Sequence, residues 1–184
     1  NDKGAEVNLK TIFRSSPDIV RLAFSILSSG STLFTNMENP LDKVEDSFTS
    51  EDEGRSCKPY CLEFKSDNDV VLNAFKSADK IAAQTASMRC KVIIIATTES
   101  VLMQLERYAT DANKAVKFIK QRGDKKSQID AEKGNKYIVA GIDYVGGLEF
   151  DAAVIIGADK GHMPATEENG VDSKHFLNHA SYNR

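Results

Sequence analysis

The sequence contains no tryptophan, and its 184 residues include only three cysteines and four prolines. An odd, sparse set of cysteines does not make a disulfide framework, so the sequence predicts a reducing, cytoplasmic compartment. It also lacks a signal-peptide pattern and any apolar run long enough to span a bilayer, which predicts no membrane partner. The apolar content of 41% is ordinary for a globular domain with a real core.

Positive charge is not in excess either, because 24 Lys and Arg residues stand against 27 Asp and Glu, for a net charge of −3. A global basic field that would hold nucleic acid is therefore excluded, and any such binding must be local. One basic cluster is present, and it forms either an ordinary solvated surface or a local phosphate-contacting edge. Its members are Lys114, Lys117, Lys120, Arg122, Lys125 and Lys126.

Two kinds of site are incomplete in the sequence. No Gly-x-x-x-x-Gly-Lys-Ser/Thr loop is present to hold the β- and γ-phosphates of a nucleotide with Mg²⁺, so we expect no ATP hydrolysis by the chain alone. His175 and His179 are four residues apart on a predicted helix, but a third metal ligand is missing. Cys57 and Cys61 lack the second ligand pair that zinc needs, so no metal site is predicted.

Strand and helix patterns alternate along the chain. Runs rich in Val and Ile predict strands, and apolar residues at three- and four-residue spacing predict helices. This alternation predicts an α/β fold with a mainly parallel central sheet and helices on both faces. The polar residues 31–56 and 123–135 are predicted to be loops. Strands are predicted at residues 7–12, 57–66, 91–96, 115–120, 137–142 and 152–157, and helices at 17–30, about 67–82, 97–108 and from 172 onward.

The most informative stretch is residues 137–164. Two Val- and Ile-rich runs without polar alternation, residues 137–142 and 152–157, predict strands buried on both faces of a parallel sheet. Between them lie the pair Gly146-Gly147 and the carboxylate of Glu149. Glycine lets the backbone pass where a side chain would clash, and ligands of parallel sheets bind at the carboxyl ends of the strands. We therefore expect Glu149 to lie near such an end, in contact with a ligand.

This stretch carries a family resemblance. Gly147-Leu148-Glu149-Phe150-Asp151, followed by a buried strand, by Gly157 to Gly161 and by Met163-Pro164, resembles motif V of superfamily 1 helicases of the UvrD/Rep type. Two positions depart from that motif. The usual lysine before Gly-Leu-Glu is Gly146 here, and the usual histidine three residues earlier is Asp143.

A second resemblance surrounds Arg14. Ser16, Pro17 and Asp18 have the residue types of a helix start, which places Arg14 beside exposed backbone N–H groups, a natural anion site. From these residues alone, an exposed ion pair between Arg14 and Asp18 is the more common explanation. The run Phe13-Arg14-Ser15-Ser16-Pro17-x-Ile19 is similar to motif IV of the same helicases, in which the arginine reaches the γ-phosphate of ATP.

The resemblance implies that residues 1–184 form one RecA-like three-layer sandwich, the second motor domain of a DNA helicase of the kind used in DNA repair. In that family ATP and Mg²⁺ are held mainly by a first RecA-like domain, the main partner, and the chain would stop before motif VI. The loop at 123–135 would stand where the family inserts an accessory subdomain. Arg14 would be catalytic, Gly147 and Glu149 would join it in contacting the nucleotide, and Asp143, Tyr144 and Gly146 would contact single-stranded DNA.

A competing interpretation has the same α/β fold but no catalytic activity. The chain would then be a non-catalytic α/β interaction module, derived from a degenerate helicase half, that binds a partner. The acidic composition and the altered positions Asp143 and Gly146 favour this alternative.

Overall fold

The computed structural model describes residues 15–29, 58–159 and 162. These residues fall into two units, one ending at Leu62 and one starting at Glu63, and each is described by itself. The predicted strand at 7–12, the predicted loop over most of 31–56 and the predicted helix from 172 lie outside the described residues. The assignment of residues 1–184 to one domain stays a prediction.

Helix α1, Pro17–Ser29, belongs to the first unit and confirms the predicted helix start. The Ser16 carbonyl accepts hydrogen bonds from the N–H groups of the third and fourth helical residues, both at 3.1 Å. Proline at the first helical position loses no hydrogen bond, because that N–H has no partner within a helix. The Asp18 carboxylate suits the positive end of the helix and lies 3.6 Å from the Arg21 guanidinium.

The second unit is built on a four-stranded sheet in which all neighbouring strands are parallel. The strand order is β2-β3-β1-β4, so β1 lies between the two strands that flank the glycine pair. The predicted α/β sandwich with a parallel central sheet is confirmed. The strands are β1, Val92–Ala96; β2, Val116–Ile119; β3, Tyr137–Gly141; and β4, Ala152–Ile156.

Three of the helices that the structure describes cover the sheet. Helix α2, Asp67–Gln84, and helix α3, Glu99–Asp111, pack on the first face. Helix α4, Lys125–Lys133, packs on the second face through Ala131. Side chains of β1 alternate between the two faces, and all five are buried, as expected for the central strand of a parallel sheet.

The first face holds the larger core. Phe75 of α2 is 1% exposed and packs against two tyrosine rings, with centroid distances of 5.4 Å to Tyr108 and 5.0 Å to Tyr137. The Tyr137 hydroxyl donates to the Asp79 carboxylate at 2.7 Å, and the Arg89 guanidinium lies 4.5 Å from its ring centroid. Burial and the Asp79 carboxylate raise the pKa of Tyr137 to about 12. The phenol therefore serves as a fixed hydrogen-bond donor at the edge of the core.

Two secondary-structure predictions were wrong. Residues 58–65 form no strand, and this exposed stretch leads directly to Ser66, which caps α2. Residues 125–133 form α4 where a loop was predicted, because Asp124 caps the helix by accepting from the Ser127 N–H at 3.0 Å. The helix buries one small residue, Ala131, so its hydrophobic periodicity is too weak to detect.

The prediction that β4 is buried on both faces was also wrong. Its residues alternate, and on the second face Ala153 and Ile155 are exposed. The reason is that β4 is an edge strand of the described sheet, where α4 does not reach. None of the helices that the structure describes is long and apolar enough to cross a membrane.

Candidate functional site

The carboxyl edge of the sheet brings together four segments of the chain. Because all strands are parallel, the residues that follow each strand meet at one edge, where ligands of α/β proteins bind. Thr97 follows β1, Arg122 follows β2 by three residues, Asp143 and Tyr144 follow β3, and Gly157 follows β4.

The part of this edge formed by β1 and β4 is closed by packing. The buried Thr97 hydroxyl donates to the Gly157 carbonyl at 2.5 Å. Gly157 has a φ of +77°, and a Cβ there would stand 2.5 Å from Thr97 Oγ1 and 2.9 Å from a methyl group of Val101. The glycine is therefore needed both for its backbone conformation and for space. Sequence reasoning did not find this contact, because its two partners are 60 residues apart.

A ten-residue connection, residues 142–151, joins β3 to β4 and contains the motif V-like residues; we call it the crossover segment. It starts with a short 3₁₀ helix, Ile142–Tyr144, at the carboxyl edge. It ends at the amino edge, where the Asp151 N–H donates to the Lys91 carbonyl at 2.9 Å, just before β1 begins. Between these points its apolar residues pack on the second face. The segment therefore crosses β1, as it must to connect two strands that are not neighbours.

This path corrects the expected position of Glu149. We expected it at the carboxyl ends of the strands, but it lies on the return path, two residues before Asp151. Helix α4 holds its main chain, since the Gln128 side-chain amide donates to the Glu149 carbonyl at 2.8 Å. Glu149 is exposed. The main chain at Glu149 is thus anchored to a helix, while the residue as a whole is exposed.

The two glycines of the crossover segment have different surroundings. Gly147 has a φ of +87° with open space around its Cα, so only its backbone conformation calls for glycine. Gly146 lacks a positive φ, but the Arg122 guanidinium occupies the position of a side chain. A Cβ on Gly146 would lie 2.5 Å from Arg122 Nε and 2.9 Å from Nη2. Arg122 and Gly146 are therefore in direct contact across two connections.

We expect Gly147→Ala to lower the free energy of unfolding by about 1–2 kcal/mol, because alanine is strained at a positive φ. The matched change Gly146→Ala should cost less than about 0.5 kcal/mol, since the Arg122 side chain is flexible and exposed and can move aside. Urea denaturation of both variants measures the two values. Equal costs would show that the two glycines do not play the separate roles described above.

The basic cluster divides into paired and unpaired side chains. The Lys120 ammonium lies 2.8 Å from the Glu106 carboxylate, and that of Lys117 lies 3.5 Å from Asp130. Lys114 lies over the aromatic rings of Phe75 and Tyr137 in the first-face core. Within the described part of the chain, three cations of the cluster have no ion-pair partner: Arg122, Lys125 and Lys126.

The structure describes some of the other predicted site residues and not others. Asp143 and Tyr144 do lie at the carboxyl edge, and the Tyr144 ring packs 3.4 Å from where a Gly141 Cβ would stand. Arg14 lies outside the described residues, as do His175 and His179. Among residues 15–29, 58–159 and 162, no group of three or more His, Cys, Asp or Glu side chains could hold a metal ion.

The described residues of the second unit thus form an α/β fold with a parallel sheet and a partly exposed, glycine-containing crossover segment. No protein-family model, curated protein or solved structure matches this chain. Its function must therefore be argued from its own residues.

Proposed function

We propose that this chain is the second RecA-like domain of an ATP-dependent DNA helicase or translocase. In this proposal a P-loop domain holds the nucleotide and Mg²⁺, and the present domain closes on it to complete the ATP site. Opening and closing around ATP then moves single-stranded DNA, as in hinge-type motors. Arg14 stabilises the negative charge that develops on the γ-phosphate during hydrolysis. The surface that contacts the single-stranded DNA includes Asp143, Tyr144 and Gly146.

One observation carries the proposal. The motif V-like sequence Gly147-Leu148-Glu149-Phe150-Asp151 forms the second half of the connection between two parallel strands, and its main chain is anchored to helix α4. A segment held in this way can present backbone and carboxylate groups to a ligand without first becoming ordered, which lowers the entropic cost of binding. The Glu149 carboxylate would accept a hydrogen bond from a ribose hydroxyl.

The second candidate function is a non-catalytic α/β interaction module. Specific observations favour it: the net charge is −3, and Gly146 and Asp143 replace two polar positions of the resembled motif. The two candidates differ in nucleotide chemistry. A motor domain changes ATP turnover when it meets its P-loop partner, whereas an interaction module does not.

The proposal is tested by comparing ATP turnover by the 184-residue chain alone with turnover by a polypeptide that joins it to the P-loop domain of its own gene. We expect none from the chain alone and DNA-stimulated turnover from the joined protein. Glu149→Ala in the joined protein should raise the KM for ATP about tenfold or more, because a hydrogen bond to a charged group is lost. Glu63→Ala, an exposed carboxylate in the irregular stretch before α2, is the control.

Two results would count against the proposal. Turnover by the chain alone, free of contaminating ATPase, would mean that the nucleotide site is not shared with another domain. An unchanged KM in the Glu149→Ala protein would remove Glu149 from the nucleotide site.

A further inference from the structure

The contact between Arg122 and Gly146 joins two loops that are far apart in sequence. Arg122 lies in the connection after β2, and Gly146 lies in the crossover segment after β3, the strand that pairs with β2. The guanidinium fills the space over Gly146, with its Cζ atom 3.0 Å from the position of a Cβ. A cation is thus placed over this point of the crossover segment by a neighbouring loop.

The Arg122 guanidinium at this contact is not neutralised by a carboxylate of the described residues, so it can bind an anion. Lys117 and Lys120 lie on the same connection or strand and are paired with carboxylates, while Arg122, Lys125 and Lys126 lack ion-pair partners in the described part of the chain. The nearest acidic neighbour in sequence, Asp124, is engaged as the cap of α4. Its hydrogen bonds with Ser127, helped by Lys117 and Lys126, lower the pKa of the Asp124 carboxyl.

We infer that Arg122 binds a backbone phosphate of single-stranded nucleic acid, with Lys125 and Lys126 contributing positive charge beside it. A guanidinium presents several N–H donors in a plane and can bind a phosphate through two hydrogen bonds. Gly146 has no side chain of its own, so the arginine supplies the positive charge at this position of the crossover segment. The choice of nucleic acid as the polyanion rests on the proposed function.

Binding is measured by fluorescence anisotropy of a labelled oligothymidylate titrated with the 184-residue chain between 50 and 200 mM salt. These concentrations span the range in which phosphate contacts lose affinity steeply, and the acidic chain should bind weakly even at the lower one. We expect Arg122→Ala to weaken binding about tenfold at low salt. The slope of log affinity against log salt should become shallower by about 0.7, the change for one phosphate contact on a single strand.

Two further variants distinguish an electrostatic role of Arg122 in binding from a role in the stability of the fold. Arg107→Ala removes an exposed arginine from α3 on the opposite face of the sheet and should leave affinity and slope unchanged. In the double variant Arg122→Ala/Gly146→Lys, the new side chain grows from the Cβ position that the guanidinium had filled. We expect it to restore the slope and most of the affinity. A merely structural role for Arg122 predicts no such rescue, and thermal melting of each variant confirms that it is folded.

Three outcomes of the binding measurements overturn the inference. The first is that the unmodified chain shows no measurable binding at low salt. The second is that Arg122→Ala and Arg107→Ala have equal effects, which would mean that Arg122 is not part of a nucleic-acid surface. Neither outcome depends on the result of the ATP-turnover test. The third is that inorganic phosphate or ATP displaces the oligonucleotide at matched ionic strength, which would assign the site to a free phosphate group instead.

If the Arg122 results hold but the joined protein hydrolyses no ATP, the proposed motor function fails and a nucleic-acid-binding module remains.

Discussion

Under the proposed function, Arg14→Ala is expected to reduce kcat for ATP hydrolysis about a thousandfold or more in a protein that joins this chain to a P-loop domain. The charge of an arginine at the γ-phosphate matters most while that phosphate is transferred, so its loss appears in kcat more than in nucleotide binding. Single-turnover measurement of phosphate release, with nucleotide affinity measured separately, distinguishes the two effects.

The control for this change is Arg21→Ala on α1, because Arg21 has a described role in the 3.6 Å ion pair with Asp18. A partly exposed pair of this kind contributes at most about 1 kcal/mol to stability and nothing to the chemical step. Wild-type kcat in the Arg14→Ala protein, with a small loss of stability, would place Arg14 among such surface residues. The assignment of a catalytic arginine to this chain would then be withdrawn.

Phe75→Ala is expected to lower the free energy of unfolding by about 3–5 kcal/mol. The ring is 1% exposed and is enclosed by Tyr108 and Tyr137, so its removal leaves a cavity between α2, α3 and β3 that these large rings cannot easily fill. A loss of this size is a large fraction of the stability of an ordinary domain. Urea denaturation followed by circular dichroism measures it.

The same substitution at Phe118 is the matched comparison, because that ring on β2 is only partly buried at the margin of the same core. It should cost clearly less, about 1–2 kcal/mol, in proportion to the smaller area that it buries. If the two substitutions cost the same, Phe75 is not the centre of the first-face core.

The sequence predicts the strands of the sheet well because of their composition. Val92–Ala96 and Tyr137–Gly141 are short runs of apolar residues without polar alternation, which is typical only of strands covered on both faces. Helices α2 and α3 were equally predictable, since Ser66 and Thr98 cap them and their apolar residues recur at helical spacing.

Two of the wrong predictions, and one contact that was not predicted, depend on which strands are neighbours in the sheet. Ile155 has the composition of a covered strand residue, but its exposure is decided by which strand becomes the edge of the sheet. Glu149 was expected at the carboxyl ends of the strands, whereas it lies on the path that crosses β1, because the sequence does not show that β1 separates β3 from β4. The contact between Arg122 and Gly146 follows from the pairing of β2 with β3, so no local pattern could indicate it.

The strand order β2-β3-β1-β4 also bears on how the domain is made on the ribosome. Among the described strands, β1 and β2 are the first to be synthesised; they are not neighbours, and both pair with β3. Within the described sheet, neither has a partner until the nascent chain has emerged past Gly141. Because such unpaired strands are prone to aggregate, helices α2 and α3 are the elements that can shield them until β3 inserts.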